Sequence, residues 1–67
     1  MDKISEQFGN NMKCIRTKKN MSQGDIARAL EVDRGYISNI ESGKKNLTLA
    51  TSQKIANALG IPPKDLL

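Results

Sequence analysis

Apolar residues recur along the chain at intervals of three and four positions, the spacing of helices that bury one face. This pattern predicts an all-α domain with helices at about residues 5–19, 23–30, 34–41 and 49–59, followed by a short helix at 63–67. The predicted inward-facing residues are Ile4, Phe8, Met12 and Ile15, then Ile26, Ala27 and Leu30, then Ile37 and Ile40 with Tyr36 beside them, and finally Leu49, Ile55, Ala56 and Leu59.

The second and third helices are separated by a very short turn, and each has its own start signal. Ser22 is followed three residues later by Asp25, the spacing of a capping box, and Asp33 is expected to cap the third helix. Two capped helices joined by three or four residues form a helix-turn-helix, whose second helix enters the major groove of DNA. The sequence therefore predicts that residues 33–42 contact DNA and that the other helices hold them in place.

The third helix has an outward stripe of small polar residues, which consists of Arg34, Gly35, Ser38, Asn39 and Ser42. Short side chains that donate and accept hydrogen bonds suit the edges of base pairs, whereas a purely solvated face more often contains lysine and glutamate. Arg34 is the best candidate for specificity, because a guanidinium can bond O6 and N7 of guanine together. Asn39 could bond adenine in the same way. Gly35 would either let the backbone approach the groove or leave room for a thymine methyl group.

The charge balance favours an anionic partner, because eleven lysine and arginine residues against seven acidic residues give a net charge of +4. The basic residues form two clusters, one of Lys13, Arg16, Lys18 and Lys19 and one of Arg34, Lys44 and Lys45. The first cluster is equally consistent with a solvated helix face. The second lies beside a motif that needs phosphate contacts, and it is the better indication of nucleic-acid binding.

The rest of the composition limits the classes of function. The chain makes one small domain, residues 1–67, with too thin a core for a large substrate cavity. A single cysteine, Cys14, and the lack of histidine argue against a disulfide framework and a structural zinc site. The sequence has neither a long apolar run nor the apolar segment of a signal peptide. We therefore expect no metal, no cofactor, no small-molecule substrate, no membrane partner and no enzymatic activity, and a location in the cytoplasm.

These motifs resemble the Cro and lambda-repressor type (XRE-like) of helix-turn-helix, a five-helix DNA-binding domain. The resemblance extends over residues 8–67, and its most specific part is the stretch 21–44, from Met-Ser-Gln through Ile-Ser-Asn-Ile-Glu-Ser-Gly-Lys. The segment 55–62, Ile-Ala-Asn-Ala-Leu-Gly-Ile-Pro, is also similar to the family. Within this family, residues 33–38 followed by 45–48 look like the corresponding segments of restriction–modification controller proteins. These are short dimeric regulators that bind operators upstream of their own genes.

The resemblance implies a role for each matching residue. The expected base contacts are Arg34, Gly35, Ser38 and Asn39. The expected contacts to the DNA backbone are Ser22, Gln23, Tyr36, Lys44, Lys45 and Asn46. Arg16 and Glu41 match a buried salt bridge that fixes the angle of the third helix. The alternative for Arg16 is a further basic residue on the surface.

Two positions depart from the family pattern. Glu31 lies in the turn where the family usually has glycine, and a residue with a side chain is strained there if φ is positive. Ser52 lies where an apolar residue commonly faces the core, so its hydroxyl must find a backbone acceptor or the fourth helix must rotate. Thr48 is expected to cap that helix.

One domain of this size offers a small DNA interface, so we expect a homodimer on a pseudo-palindromic operator with half-sites ~34 Å apart. The expected dimer surface consists of Ile61, Leu66 and Leu67, although the two terminal leucines could instead fold back onto the core. The leading function is a sequence-specific transcriptional regulator that binds double-stranded DNA. An antitoxin-type regulator, or a protein-interaction module on the same fold, is the alternative.

Overall fold

The computed structural model describes residues 3–67, and these form four α-helices and one 3-10 helix, with no strand among them. The elements are α1 (Lys3–Lys18), α2 (Gln23–Leu30), α3 (Arg34–Glu41), α4 (Leu49–Leu59) and the 3-10 helix Pro63–Leu66. The all-α prediction is confirmed, and the bounds of the four α-helices agree with it to within two residues. The short helix expected at 63–67 is present as a 3-10 helix and not as a fifth α-helix. In the part of the chain that is described, no helix has the length and apolar character needed to cross a membrane.

The core lies between the four α-helices and the 3-10 helix, with α3 packed on α1 and α2, and with α4 packed on α2 and the 3-10 helix. Its buried residues are Phe8, Met12, Ile26, Ala27, Ile37, Ile40, Ile55, Ala56, Leu59 and Leu66. Two predicted core residues are wrong, because Ile4 is 73% exposed and Leu49 is 90% exposed. Both lie in the first turn of their helices, so each apolar stripe continues past the elements that cover it.

The C-terminal turn folds back onto the chain. Leu66 is fully buried, and its carbonyl oxygen accepts a hydrogen bond from Asn11 Nδ2 on α1 at 3.0 Å. This corrects the expected dimer surface, because Leu66 already packs in the core of its own chain and cannot be offered to a partner. Ile61 is half-buried against the same core, and Leu67 is 68% exposed.

The helix caps match the prediction in two of three cases. At α2 the Ser22 Oγ accepts from the Asp25 N–H at 3.0 Å, and the Ser22 N–H donates to Asp25 Oδ2 at 2.8 Å, which completes the capping box. Thr48 Oγ1 accepts from the Thr51 N–H at 3.1 Å at the start of α4. Asp33 has the backbone of a cap but its side chain makes no cap hydrogen bond within residues 3–67, so its predicted capping role is wrong.

The bond from the Ser22 N–H lowers the pKa of Asp25 below its ordinary value, helped by the Ser22 hydroxyl and by Arg28. A carboxyl whose pKa is lower in the folded state stabilises the fold above its unfolded pKa and loses that contribution as the pH falls through the folded pKa. The capping box of α2 is therefore weakened by acid.

The turn between α2 and α3 contains the strain that the sequence indicates. Glu31 has φ 59° and ψ 45°, the left-handed conformation that glycine adopts without cost. For a residue with a Cβ atom, this left-handed conformation costs about 1–2 kcal/mol of conformational free energy. The conformation is retained because the Val32 N–H donates to the Ala27 carbonyl at 3.0 Å and ends α2.

Ser52 in α4 is the second position that departs from the family pattern. Its hydroxyl finds a backbone acceptor, since it donates to the Thr48 carbonyl at 3.1 Å.

Gly9 allows α1 and α3 to approach closely, which the sequence analysis did not anticipate. A Cβ atom at this position would lie 2.5 Å from the Ile40 carbonyl oxygen and 2.6 Å from that of Glu41. Both obstacles are backbone atoms, so no change of rotamer can relieve the contact. The glycine that weakens α1 as a helix is therefore what brings the last turn of α3 against it.

Candidate nucleic-acid interface

The outward stripe of α3 is exposed along its whole length. Arg34, Gly35, Ser38, Asn39 and Ser42 are exposed, while Ile37 and Ile40 on the opposite side are buried. Ser42 Oγ donates to the Asn39 carbonyl, and in the described structure the side chains of Arg34 and Ser38 make neither a hydrogen bond nor an ion pair. The side chains of Arg34 and Ser38 therefore keep their hydrogen-bonding groups available at the surface of the stripe.

Arg16 and Glu41 form the ion pair that the resemblance implies. Arg16 Nε donates to Glu41 Oε2 at 2.7 Å and Nη2 donates to Oε1 at 3.1 Å, a two-bond contact from α1 to the end of α3. The Glu41 side chain is only 3% exposed, and its hydrogen bond raises the pKa of Arg16 above the ordinary value. Arg16 Nη1 also donates to the Met21 carbonyl at 2.7 Å. One guanidinium thus joins α1, the following loop and α3.

Gln23 extends this network to the first turn of α2. Its Nε2 donates to Glu41 Oε1 at 3.1 Å, so a single carboxylate fixes the start of α2 to the end of α3. The N–H groups in the first turn of a helix have no acceptor within that helix. In α2 these include the N–H groups of Gln23 and Gly24, at the end of α2 that the Gln23 side chain joins to Glu41.

The opposite edge of the stripe is formed by Tyr36 and the loop after α3. Lys44, Lys45 and Asn46 are exposed, and Tyr36 is half-buried against the core. Lys45 Nζ lies 5.0 Å from the centroid of the Tyr36 ring, a cation–π contact that holds the ammonium group near α3. Gly43 has φ 77°, and a Cβ atom there would lie 2.9 Å from Glu6 Cγ. The sharp turn at Gly43 therefore places the lysines beside α3.

The two basic clusters differ in their structural role. Arg16 differs from the rest of the first cluster because it is paired with Glu41. Lys13 and Lys18 are exposed on α1, and Lys19 is exposed in the turn that follows it. These three lysines stay consistent with a solvated helix face. Cys14, also on α1, is an exposed free thiol.

The fold and the exposed polar face of α3 define a helix-turn-helix domain of the DNA-binding class. The model of the helix-turn-helix family matches residues 12–66. The chain is 48% identical over 61 residues to control protein C.BamHI from Bacillus amyloliquefaciens, a match that includes 90% of this chain and 75% of that protein. It is 40% identical over 67 residues to control protein C.MunI from a Mycoplasma species, a match that includes 98% of this chain and 90% of that protein.

Solved structures that superpose on this chain include proteins of the same class as these relatives. The restriction–modification controller protein C.AhdI from Aeromonas hydrophila superposes with a TM-score of 0.88 at 35% identity, over 94% of this chain and 96% of that one. The controller protein C.Esp1396I, solved as a tetramer with its natural 35 base-pair operator, superposes with a TM-score of 0.88 at 30% identity, over 98% of this chain and 87% of that one. The chain belongs to the helix-turn-helix family of transcriptional regulators to which these control proteins belong, and it is a DNA-binding regulator rather than an enzyme.

Proposed function

We propose that α3 enters the major groove and that Arg34, Gly35, Ser38 and Asn39 contact base pairs there. The observation that carries this proposal is the exposed polar stripe of α3, which has the N-terminus of α2 near one edge and an exposed lysine at the other. The N–H groups at the start of α2 lie on the Glu41 edge, and Lys45 lies on the Tyr36 edge. A helix in the major groove has one phosphate backbone on either side of it, and this arrangement provides a contact for each.

The proposed backbone contacts are Ser22, Gln23, Tyr36, Lys44, Lys45 and Asn46. Because the side-chain amide of Gln23 donates to Glu41, its phosphate contact is made by the backbone N–H at the helix N-terminus, where anions are favoured. Ser22 lies at the same helix N-terminus, where its hydroxyl oxygen accepts the cap hydrogen bond from the Asp25 N–H. The lysines supply affinity more than specificity, since phosphate contacts position the protein and base contacts specify the site.

The relatives narrow the biological role. Two are control proteins, and the operator complex of C.Esp1396I shows a controller protein on its own DNA. We propose that this chain is likewise a controller of restriction–modification genes that binds an operator in the cytoplasm. The short polar stripe and the lysines beside it favour this role over a protein-interaction module.

Selection of operators from random duplex DNA tests this function. We expect wild-type protein to enrich a pseudo-palindrome, and Arg34→Ala to relax the preference at one position of each half-site by about 5- to 150-fold, because a lost bidentate contact to guanine costs about 1–3 kcal/mol. Base preference is measured by sequencing the selected pools, and affinity by fluorescence anisotropy. Failure of the wild-type protein to enrich any palindrome would refute the function.

Lys45→Ala is the matched control, since it also removes one exposed cation beside α3. We expect weaker binding to all sequences alike and a salt slope smaller by ~1, the signature of a phosphate contact. A change in base preference with Lys45→Ala would show that the assignment of base and backbone contacts is wrong.

We also propose that two copies bind together, with Ile61 and Leu67 at the interface. Leu67 and Ile4 are exposed beside a groove of about 220 Å³ that is floored by Phe8, whereas the exposed Leu49 begins α4. In sedimentation at rising concentration we expect a dimer that Leu67→Asp dissociates and Leu49→Asp does not. The reverse result would place the interface at the start of α4, and a monomer at every concentration would refute self-association through residues 1–67.

A further inference from the structure

Asp33 lies at the start of α3 with a carboxylate that the fold does not use. Its backbone, with φ −70° and ψ 148°, is close to that of the two caps Ser22 and Thr48. In those two residues the side-chain oxygen accepts from a backbone N–H three residues later, at 3.0 and 3.1 Å. Asp33 makes no such bond, although aspartate is as good a cap as serine.

The carboxylate of Asp33 also lacks a cationic partner. Arg34 follows directly in the sequence, yet across residues 3–67 the ion pairs join Arg16 to Glu41 and Arg28 to Asp25. Asp33 and Arg34 are both exposed. Two neighbouring opposite charges therefore stay separate at the end of α3 that leads into the outward stripe, and each keeps its hydrogen-bonding capacity.

A carboxylate in this place has an electrostatic cost when DNA binds. The phosphates of both backbones repel it, and the other charged side chains of the candidate interface, Arg34, Lys44 and Lys45, are cations. In the major groove the amino groups at the base edges can compensate, because they donate hydrogen bonds to a carboxylate. Cytosine presents N4–H₂ and adenine N6–H₂, whereas guanine O6 and N7 and thymine O4 are acceptors that a carboxylate repels.

We propose that Asp33 is a further specificity-determining residue, whose carboxylate accepts a hydrogen bond from N4 of a cytosine adjacent to the guanine that Arg34 contacts. This inference rests on the proposed function of α3. The two residues act with opposite polarity, since Arg34 donates to acceptors and Asp33 accepts from a donor. The expected order at the Asp33 position is cytosine first, then adenine, with guanine and thymine strongly disfavoured.

The test uses the operator that the wild-type protein selects, with each of the four bases placed at the cytosine position. We expect Asp33→Ala to reduce discrimination at this position by about 5- to 150-fold, the range of a good base contact. Asp33→Asn should move the preference to adenine, because an amide can donate to N7 and accept from N6–H₂. Asp65→Asn makes the same charge change in the 3-10 helix, away from α3, and should leave base preference unchanged.

Thermal unfolding of each variant separates recognition from folding. If Asp33→Ala and Asp33→Asn strengthen binding to all four bases equally, Asp33 only repels phosphate and the proposal is wrong. If they lower the melting temperature and leave base preference intact, Asp33 only stabilises α3 through its dipole, and the proposal is again wrong. The function of α3 is judged separately, by whether the wild-type protein selects a palindrome with a position that depends on Arg34.

Discussion

Glu41→Ala is expected to destabilise the protein by about 3–5 kcal/mol, because it leaves the Arg16 guanidinium partly buried without its carboxylate. The substitution also removes the acceptor of the Gln23 amide, so the start of α2 and the end of α3 lose their shared contact. A chain of this length has a total stability of about 3–10 kcal/mol, so the loss is a large part of it. Urea unfolding at low temperature, followed by circular dichroism, measures the change.

Arg28→Ala is the matched control for this ion pair. Arg28 pairs with Asp25 on the surface, where its side chain is largely exposed, and exposed pairs contribute about 0–1 kcal/mol. The double variant Arg16→Ala with Glu41→Ala should cost less than the sum of the two single variants, since removing the second partner leaves no unpaired charge. Glu41→Gln provides a milder variant if Glu41→Ala does not fold. A loss no larger than that of Arg28→Ala would contradict the assigned role of the network.

Gly9→Ala is expected to destabilise the protein by about 1–3 kcal/mol, the usual cost of overpacking a well-packed contact. Helix propensity alone predicts the opposite sign, since alanine is favoured over glycine by about 1 kcal/mol inside a helix. The added methyl group would meet the backbone carbonyls of Ile40 and Glu41, so α1 must move away from α3. Because that movement also displaces the recognition helix, operator affinity should fall together with stability.

Gly35→Ala is the control for the glycine substitution. It also adds a methyl group to a helical glycine, but apart from the neighbouring residues and backbone of α3 itself, no atom of the described structure lies within 4 Å of the added carbon. Stability should rise by up to about 1 kcal/mol, while DNA binding changes through the contact surface of α3. If both variants gained stability, the prediction that the close approach of α1 and α3 requires glycine at position 9 would be wrong.

Local sequence signals were sufficient for the helices and for the cap of α2. The apolar spacing of α2 and α3 and the Ser22–Asp25 box were predicted because each depends on residues within one or two turns, whereas the strain at Glu31 was expected from the family resemblance. Asp33 shows the limit of this reasoning. Its residue type and its backbone satisfy the rule for a cap, yet its carboxylate makes no cap bond, because side-chain direction is not set by position alone.

Which apolar residues are covered was decided by the packing of whole elements. Ile4 and Leu49 continue the stripes of their helices but are exposed, because no other element of the described residues 3–67 covers those side chains. Leu66 lies in a short segment with a weak sequence signal and is nevertheless buried, because the C-terminal turn folds back and bonds to α1 through Asn11. Periodicity identifies the side of a helix that is apolar but not the length of that side that is covered.

The sequence by itself determined the class of protein, the helix-turn-helix and the outward polar stripe of α3, because helix periodicity and turn chemistry are local properties. The Arg16–Glu41 pair came from the resemblance to a family and not from spacing. Only the tertiary structure showed that Glu41 also holds Gln23, that Gly9 admits the backbone of α3, and that Asp33 and Arg34 stay unpaired. These features join residues that are distant in the chain, or depend on the direction of one side chain, and their geometry exists only once the helices have packed.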